Sequence, residues 1–301
     1  MKIGIIAAVI LFFAVFSVFG NGIAELVNTQ EIDLTGINDL RISYTSASIT
    51  LINGTTDKLI VKEYMSENNP SYYARINKSG SSVTIENGIR PIFQFRPFYM
   101  YVEIYLPSAY QSDISIKTVS GRIESQGTLT STAAKIETSS GSISAERIAA
   151  VSAQVKTMSG SIRIEKISGV SAVQTSSGSI RIGESDGNIT LNTSSGSIDV
   201  NQLSGNLSAK TSSGRINIAV SETTGNITLQ TSSGSVQLEV PRGLNFNYTS
   251  RSSSGSLSAP FSDSLSSPLN NRRLVQGSVG EASDRNVEIY TTSGSIRVSW
   301  K

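Results

Sequence analysis

Apolar and polar residues alternate along most of this chain, and the alternation is cut at even intervals by one short motif, [TS]-x-S-G-x-[ILV]. Its glycines are Gly121, Gly141, Gly160, Gly178, Gly196, Gly214, Gly234, Gly255 and Gly294, separated by 20, 19, 18, 18, 18, 20, 21 and 39 residues. Two residues after them stand Ile123, Ile143, Ile162, Ile180, Ile198, Ile216, Val236, Leu257 and Ile296. Four after them stand residues such as Ile164, Ile182, Val200 and Ile218, and two before each threonine come others such as Ile136, Val173 and Leu191. A period of two with β-branched residues predicts strands. The last interval is about twice the others, which predicts one copy that has lost its motif.

Within a unit the inward set changes parity. Leu191 and Ile198 are an odd number of residues apart, so strict alternation cannot put both on one face. A turn at "SSG" breaks the parity. A second turn falls half a period later at Ser168-Gly169, Asp186-Gly187-Asn188, Ser204-Gly205-Asn206 and Thr224-Gly225-Asn226, in residues that tolerate positive φ. Each unit is therefore two short strands and two tight turns. A parallel β-solenoid with one unit of about 18–20 residues per coil satisfies this, and so does an antiparallel meander in which each "SSG" closes a hairpin. The solenoid accounts better for identity at equivalent positions, because each coil repeats its turn on the one before. Lys117, Glu137 and Lys156 alternate in sign at equivalent positions, as a stacked ladder favours, whereas Arg163 and Arg181 would repel before Asp199 follows. The fold class expected is all-β.

The array occupies residues 111–301, with an irregular insertion at about 241–286 that carries a basic pair, Arg272 and Arg273. Residues 25–110 are less regular but also β, and Ala47 in "ISYTSASITL" can take the glycine position of a degenerate first copy. The aromatic segment "RPIFQFRPFYMYVEIYLP" reads as a cap over the first open coil. Alternatively, Phe93, Phe95, Phe98 and Tyr99 form an exposed loop that contacts glycan, partner or lipid. Residues 1–24 contain an apolar run from Ile3 to Phe19 behind Lys2, expected to be a hydrophobic helix serving as signal peptide or signal anchor. The rest of the chain is then extracytoplasmic, membrane-anchored or secreted.

Composition narrows the chemistry. The 301 residues include no cysteine and no histidine, which excludes disulfides, thiolate catalysis, Cys/His zinc sites and a Ser-His-Asp triad. A formal net charge of +2 without a basic stripe gives no reason to expect nucleic acid. The coil acids Glu124, Glu137, Glu146, Glu165, Glu184, Asp186 and Asp199 are scattered, and only Glu165, Glu184 and Asp186 come near one turn. No catalytic, cofactor-binding or metal-binding residue is assigned.

The apolar N-terminus, the "VEIYLP" strand ending at Pro107 and the "T.SG.I.I" units together resemble a bacterial β-strand-repeat family of "putative adhesins", also called LiaG-like. The resemblance covers residues 35 to 300. It implies an extracytoplasmic β-solenoid of unknown biochemical activity, without catalytic residues to carry over. The expected function is a non-catalytic cell-envelope adhesin or scaffold whose partner is a surface protein or glycan. A polysaccharide-active β-helix enzyme, an envelope-stress accessory protein and an ice-binding surface are the alternatives.

Overall fold

The computed structural model describes residues 24–54, 56–89, 98–261 and 274–301. The apolar segment, Phe93, Phe95, Arg272 and Arg273 lie outside the described residues. Among the described residues no helix is long and apolar enough to cross a membrane, and the chain is all-β apart from a short 3₁₀ turn at Pro70–Tyr72.

Among the described residues twenty strands form one hydrogen-bonded sheet wound into a solenoid. The first eight are β1 (Glu25–Ile32), β2 (Asp39–Tyr44), β3 (Ser48–Gly54), β4 (Leu59–Met65), β5 (Arg75–Ser79), β6 (Ser82–Glu86), β7 (Met100–Pro107) and β8 (Asp113–Thr118). The central coils are β9 (Ile123–Thr138), β10 (Ile143–Lys156), β11 (Ile162–Gln174), β12 (Ile180–Asn192), β13 (Ile198–Thr211) and β14 (Ile216–Thr231). The chain closes with β15 (Val236–Val240), β16 (Phe246–Ser252), β17 (Leu257–Ser258), β18 (Leu274–Val279), β19 (Asn286–Thr291) and β20 (Ile296–Trp300).

Successive central strands pair in parallel. Ile162 lies opposite Ile180 and Ile180 opposite Ile198, one period apart in each case. The solenoid reading therefore holds and the meander does not. Each central strand runs on through the second corner, so one strand supplies both walls of its coil. That corner buries a position the alternation does not mark: Leu129, Ile148, Ile167, Leu203 and Val220 are all in the core. At this corner Gly205 has φ +91°, and a Cβ on it would meet the Gly187 carbonyl oxygen at 2.1 Å. The left-handed conformation and the close approach both require glycine there.

The "SSG" corner is built differently. Each motif threonine is buried. Its hydroxyl accepts from the N–H of the glycine three residues on and donates to the carbonyl of the corner residue one coil earlier. Thr193, for instance, donates to Gly178 O at 3.0 Å and accepts from Gly196 N at 3.2 Å. The same pair of bonds recurs from Thr118, which reaches Ala47 O at 3.0 Å, to Thr291 on Gly234 O at 3.4 Å. Ser252 takes the threonine's place on Gly294 O at 3.1 Å. Each hydroxyl satisfies two backbone groups that the tight turn would otherwise bury unpaired.

The ends of the stack do not follow chain order. Strands β2 and β3 form the first coil, with Ala47 under Gly121 as its degenerate corner and Ile42 and Ile49 opposite Ile116 and Ile123. Later chain covers this coil on both sides: β8 and β9 inboard, β6 and β7 outboard. Antiparallel β4 and then β1 lie beyond β7, and antiparallel β5 beyond β6. At the other end β19 and β20 slot between the β14/β15 coil and β16/β17. The long last interval therefore does not mark a lost copy. It contains β18, which pairs antiparallel with β16 at the end of the stack. Phe246, Tyr248, Phe261 and Trp300 plug that end, with neighbouring ring centroids 5.0–6.3 Å apart.

One ionisable group is fully buried near the opposite end. Glu63 on β4 points inward, and its Oε2 accepts from Asn28 Nδ2 at 2.7 Å and from Ala74 N at 2.8 Å. Its Oε1 accepts from the Tyr44 hydroxyl at 3.3 Å. Burial pushes this carboxyl above its ordinary range, against those three bonds, which favour the anion. Between the unfolded and the raised folded value the native state holds more protons, so stability present in acid is lost as pH rises through the folded value. Glu63→Gln mimics the protonated acid. The melting temperature of the variant should gain on that of the parent as pH rises from acid to neutral; parallel pH profiles would contradict the assignment.

Candidate interaction surface

A shallow groove of about 940 Å³ runs along the second wall of the solenoid, crossing the strands from Asp39 to Asn226 and Thr228. It is a product of stacking. On this wall the outward positions of successive coils fall in columns, because parallel register puts Gln154 beside Ala172, Ala172 beside Thr190 and Thr190 beside Ser208. These uncharged side chains line the groove. The second-corner column beside them is Asn188, Asn206 and Asn226.

The asparagines form a ladder of their own. Asn206 Nδ2 donates to Asn188 Oδ1 at 2.6 Å, the Asn226 N–H to Asn206 Oδ1 at 2.7 Å, and the Asn286 N–H to Asn226 Oδ1 at 2.9 Å. Each amide is thereby fixed in orientation. Charge is confined to one end of the groove, where Arg41 pairs with Asp39 at 2.7 Å and Lys135 with Glu137 at 3.3 Å. The rest is uncharged, with the amides and hydroxyls of Asn188, Asn206, Asn226, Gln154, Thr190 and Ser208 set among apolar residues such as Ala172 and the exposed Val170, at the strand spacing of about 4.8 Å.

Of the charged residues singled out in the sequence, Arg163, Glu165, Arg181 and Asp199 line one small pocket on the first wall, acids and arginines together. Glu184 is held by Lys166 at 2.5 Å, and Asp186 is exposed opposite Ser168. Among the described residues no three Asp, Glu, His or Cys side chains lie close enough to share a metal ion. Glu137 does lie opposite Lys156 and Lys117, as the ladder argument required, but its ion pair is with Lys135 on its own strand. Arg163 and Arg181 are neighbours in register, and Arg181 is relieved by Asp199 at 3.8 Å. The motif threonines are buried under the corner and present no flat hydroxyl face, the arrangement that ice binding needs.

Of the aromatic candidates in the described residues, Phe98 packs edge-on against Tyr72 with ring centroids 5.8 Å apart, and Tyr99 is 47% exposed. A second aromatic group was not singled out in the sequence. Tyr64 on β4 stacks on Tyr101 of β7 at 4.2 Å, and the hydroxyls of Tyr64 and Tyr105 both donate to Glu103 at 3.0 and 3.1 Å. Lys62 Nζ lies 4.5 Å above the Tyr105 ring. Alternation in "MYVEIYLP" marks Tyr101 and Tyr105 as outward, but Tyr64 on the antiparallel partner β4, which completes the cluster, comes from a distant stretch.

No curated protein sequence matches the chain. Solved structures similar to it include a "putative lipid binding protein" from Parabacteroides distasonis ATCC 8503, at 16% identity and TM-score 0.47, covering 93% of this chain and 98% of that one. A "putative adhesin" from Bacteroides fragilis NCTC 9343 gives 13% and 0.44 over 90% and 96%. A "putative adhesin" from Parabacteroides merdae ATCC 43184 gives 13% and 0.42 over 74% and 98%. The family model described as Toastrack DUF4097 matches residues 37–299, and the chain belongs to that family.

Proposed function

We propose that this protein is a non-catalytic cell-envelope adhesin or scaffold whose groove holds an extended, largely uncharged polar polymer, in the first instance a glycan strand. The observation that carries the reading is the asparagine column Asn188, Asn206 and Asn226, which presents the same amide on three successive coils beside the hydroxyls of Thr190 and Ser208. A polymer laid along the solenoid axis meets uncharged donors and acceptors at the spacing of the strands. Many weak contacts then add within one molecule. The fixed Asn188–Asn206–Asn226 ladder keeps the cost of ordering low. The absence of histidine and cysteine from the sequence supports binding over turnover.

The test uses residues 25–301 and envelope polysaccharides in a retention or titration assay. Ala172→Arg combined with Ser208→Arg fills the groove at two exposed positions. Affinity is expected to fall at least about tenfold, about 1.4 kcal/mol, with the melting temperature unchanged. The same arginines at Ser144 and Asn217, outward on the other wall, should leave binding intact. Equal loss from both pairs would remove the groove from the account. Polysaccharide turnover abolished by changing Glu165, Glu184 or Asp186 would replace it with an enzyme.

A further inference from the structure

We propose that the tyrosine-bearing corner of the N-terminal cap rests in the headgroup layer of the membrane that holds residues 3–19. The stack then stands on its cap with the opposite end away from the bilayer. The inference extends the envelope reading above by naming a second surface and its partner, a lipid bilayer interface.

The tether is short. The apolar run ends at Phe19 and β1 starts at Glu25, so at most about 20 Å of extended chain separates them. Register places what lies at that point: Glu25 is opposite Met65, and Met65 is opposite Met100. The chain therefore enters the cap beside the start of β7. The next outward row across the three strands is Leu26, Tyr64 and Tyr101, of which Leu26 and Tyr101 are half-buried and Tyr64 is buried beneath Tyr101. Tyr99 adjoins them, its backbone pinned by bonds from its N–H to Ser66 Oγ and from the Ser66 N–H to its carbonyl.

Tyrosines are concentrated in the N-terminal part of the chain. Eight of the ten tyrosines lie between Tyr44 and Tyr110, and residues 111–245 contain no aromatic residue at all. At the far end Phe246, Tyr248, Phe261 and Trp300 pack on one another as a plug. At the near end Tyr101 and Tyr105 face outward half-buried, and Tyr99 is exposed. Rings with an apolar body and a hydroxyl tip favour the water–lipid boundary. A stack lying flat on the glycine edge would instead press exposed serines such as Ser176, Ser194 and Ser212 against the lipid.

The experiment uses the full chain in phosphatidylcholine–phosphatidylglycerol vesicles. An environment-sensitive fluorophore is attached at Glu67→Cys, beside the tyrosine corner, or at Ser256→Cys at the far end; the sequence has no other cysteine. Nitroxide lipids labelled near the headgroup should quench the Glu67 site several-fold more than the Ser256 site. Adding Tyr99→Ser and Tyr101→Ser should blue-shift neither probe and reduce the quenching at Glu67 several-fold. Equal quenching at both sites would mean that the stack lies flat, and absence of quenching at both would mean that the tether holds the cap off the bilayer. Release of a chain lacking residues 1–24 from the producing cell would also overturn the proposal. Groove binding, measured on residues 25–301 without membranes, is unaffected by any of these results, so the two readings fail separately.

Discussion

Replacing Gly196 with alanine is expected to unfold the middle of the solenoid. A Cβ at this position would lie 1.8 Å from the carbonyl oxygen of Gly178 in the coil before, and 2.5 Å from its carbon. Both atoms are backbone, fixed by the parallel ladder and by the Thr193 hydroxyl that bonds the same oxygen. Relief would need the two coils to part by more than 1 Å at this corner, breaking the Thr193 bonds and opening the ladder on both walls. Several buried hydrogen bonds at about 1 kcal/mol or more each, together with lost packing, put the cost at about 4 kcal/mol or above. Gly36 is the control: it has φ +74° and open space where a Cβ would go, so alanine there carries only the left-handed backbone penalty of about 1–2 kcal/mol. Urea unfolding of the two variants separates the contributions. Equal midpoints would show that the corner is looser than the close approach implies.

Ending the chain at Arg285 is expected to cost far more than the loss of a terminal coil. The removed strands β19 and β20 are last in sequence but interior in the stack. Val287 pairs with Ile227 on one side and Tyr248 on the other. Their loss exposes the β14/β15 coil, strips β16 and β17 of parallel partners and opens the aromatic plug. Four buried core residues go with them, Val287, Ile289, Ile296 and Val298, at about 1.5–3 kcal/mol each. That total is comparable with the whole net stability of an ordinary domain. By contrast, excising residues 179–196 should leave a folded protein one coil shorter, because Gly178 then leads into Ser197 and each inward residue finds its old kind of neighbour. Hydrogen exchange reads both variants. The truncated chain should lose protection throughout residues 246–252, and retained protection there would contradict the interleaved order.

The sequence was most informative where the coil repeats and least where the chain departs from serial stacking. Glycine, Ile at two and four residues after it, and threonine three before it recur because each coil meets the same steric and hydrogen-bonding demands. The same logic found Ala47, whose small side chain tolerates the end of the glycine column. The buried position at Ile148, Ile167 and Leu203 escaped because it lies an odd number of residues after the inward positions of the first wall, Ala145, Ile164 and Val200, so that alternation carried on from that wall scores it as outward. The threonine's partners also escaped: periodicity shows that a hydroxyl recurs, but not that it bridges two backbone groups of different coils. Nothing local marks the insertion of β19 and β20, since any coil with the motif fits beside any other. The groove has the same status. Gln154, Ala172, Thr190 and Ser208 share no identity that a motif search would recover, and only register brings them into line.

Stacking in parallel, with the last coil inserted before the one that precedes it in sequence, is the claim on which the groove and both ends depend. The most direct measurement is a pair of spin-label distances on the residue after the corner glycine. Ser161 and Ser235 are four coils apart in this order, and Ser161 and Ser256 six. At about 4.8 Å per coil the expected backbone separations are about 19 Å and about 29 Å. A first distance near 38 Å would mean hairpins instead of coils, and a second near 24 Å would put the final coil at the end of the stack instead of inside it.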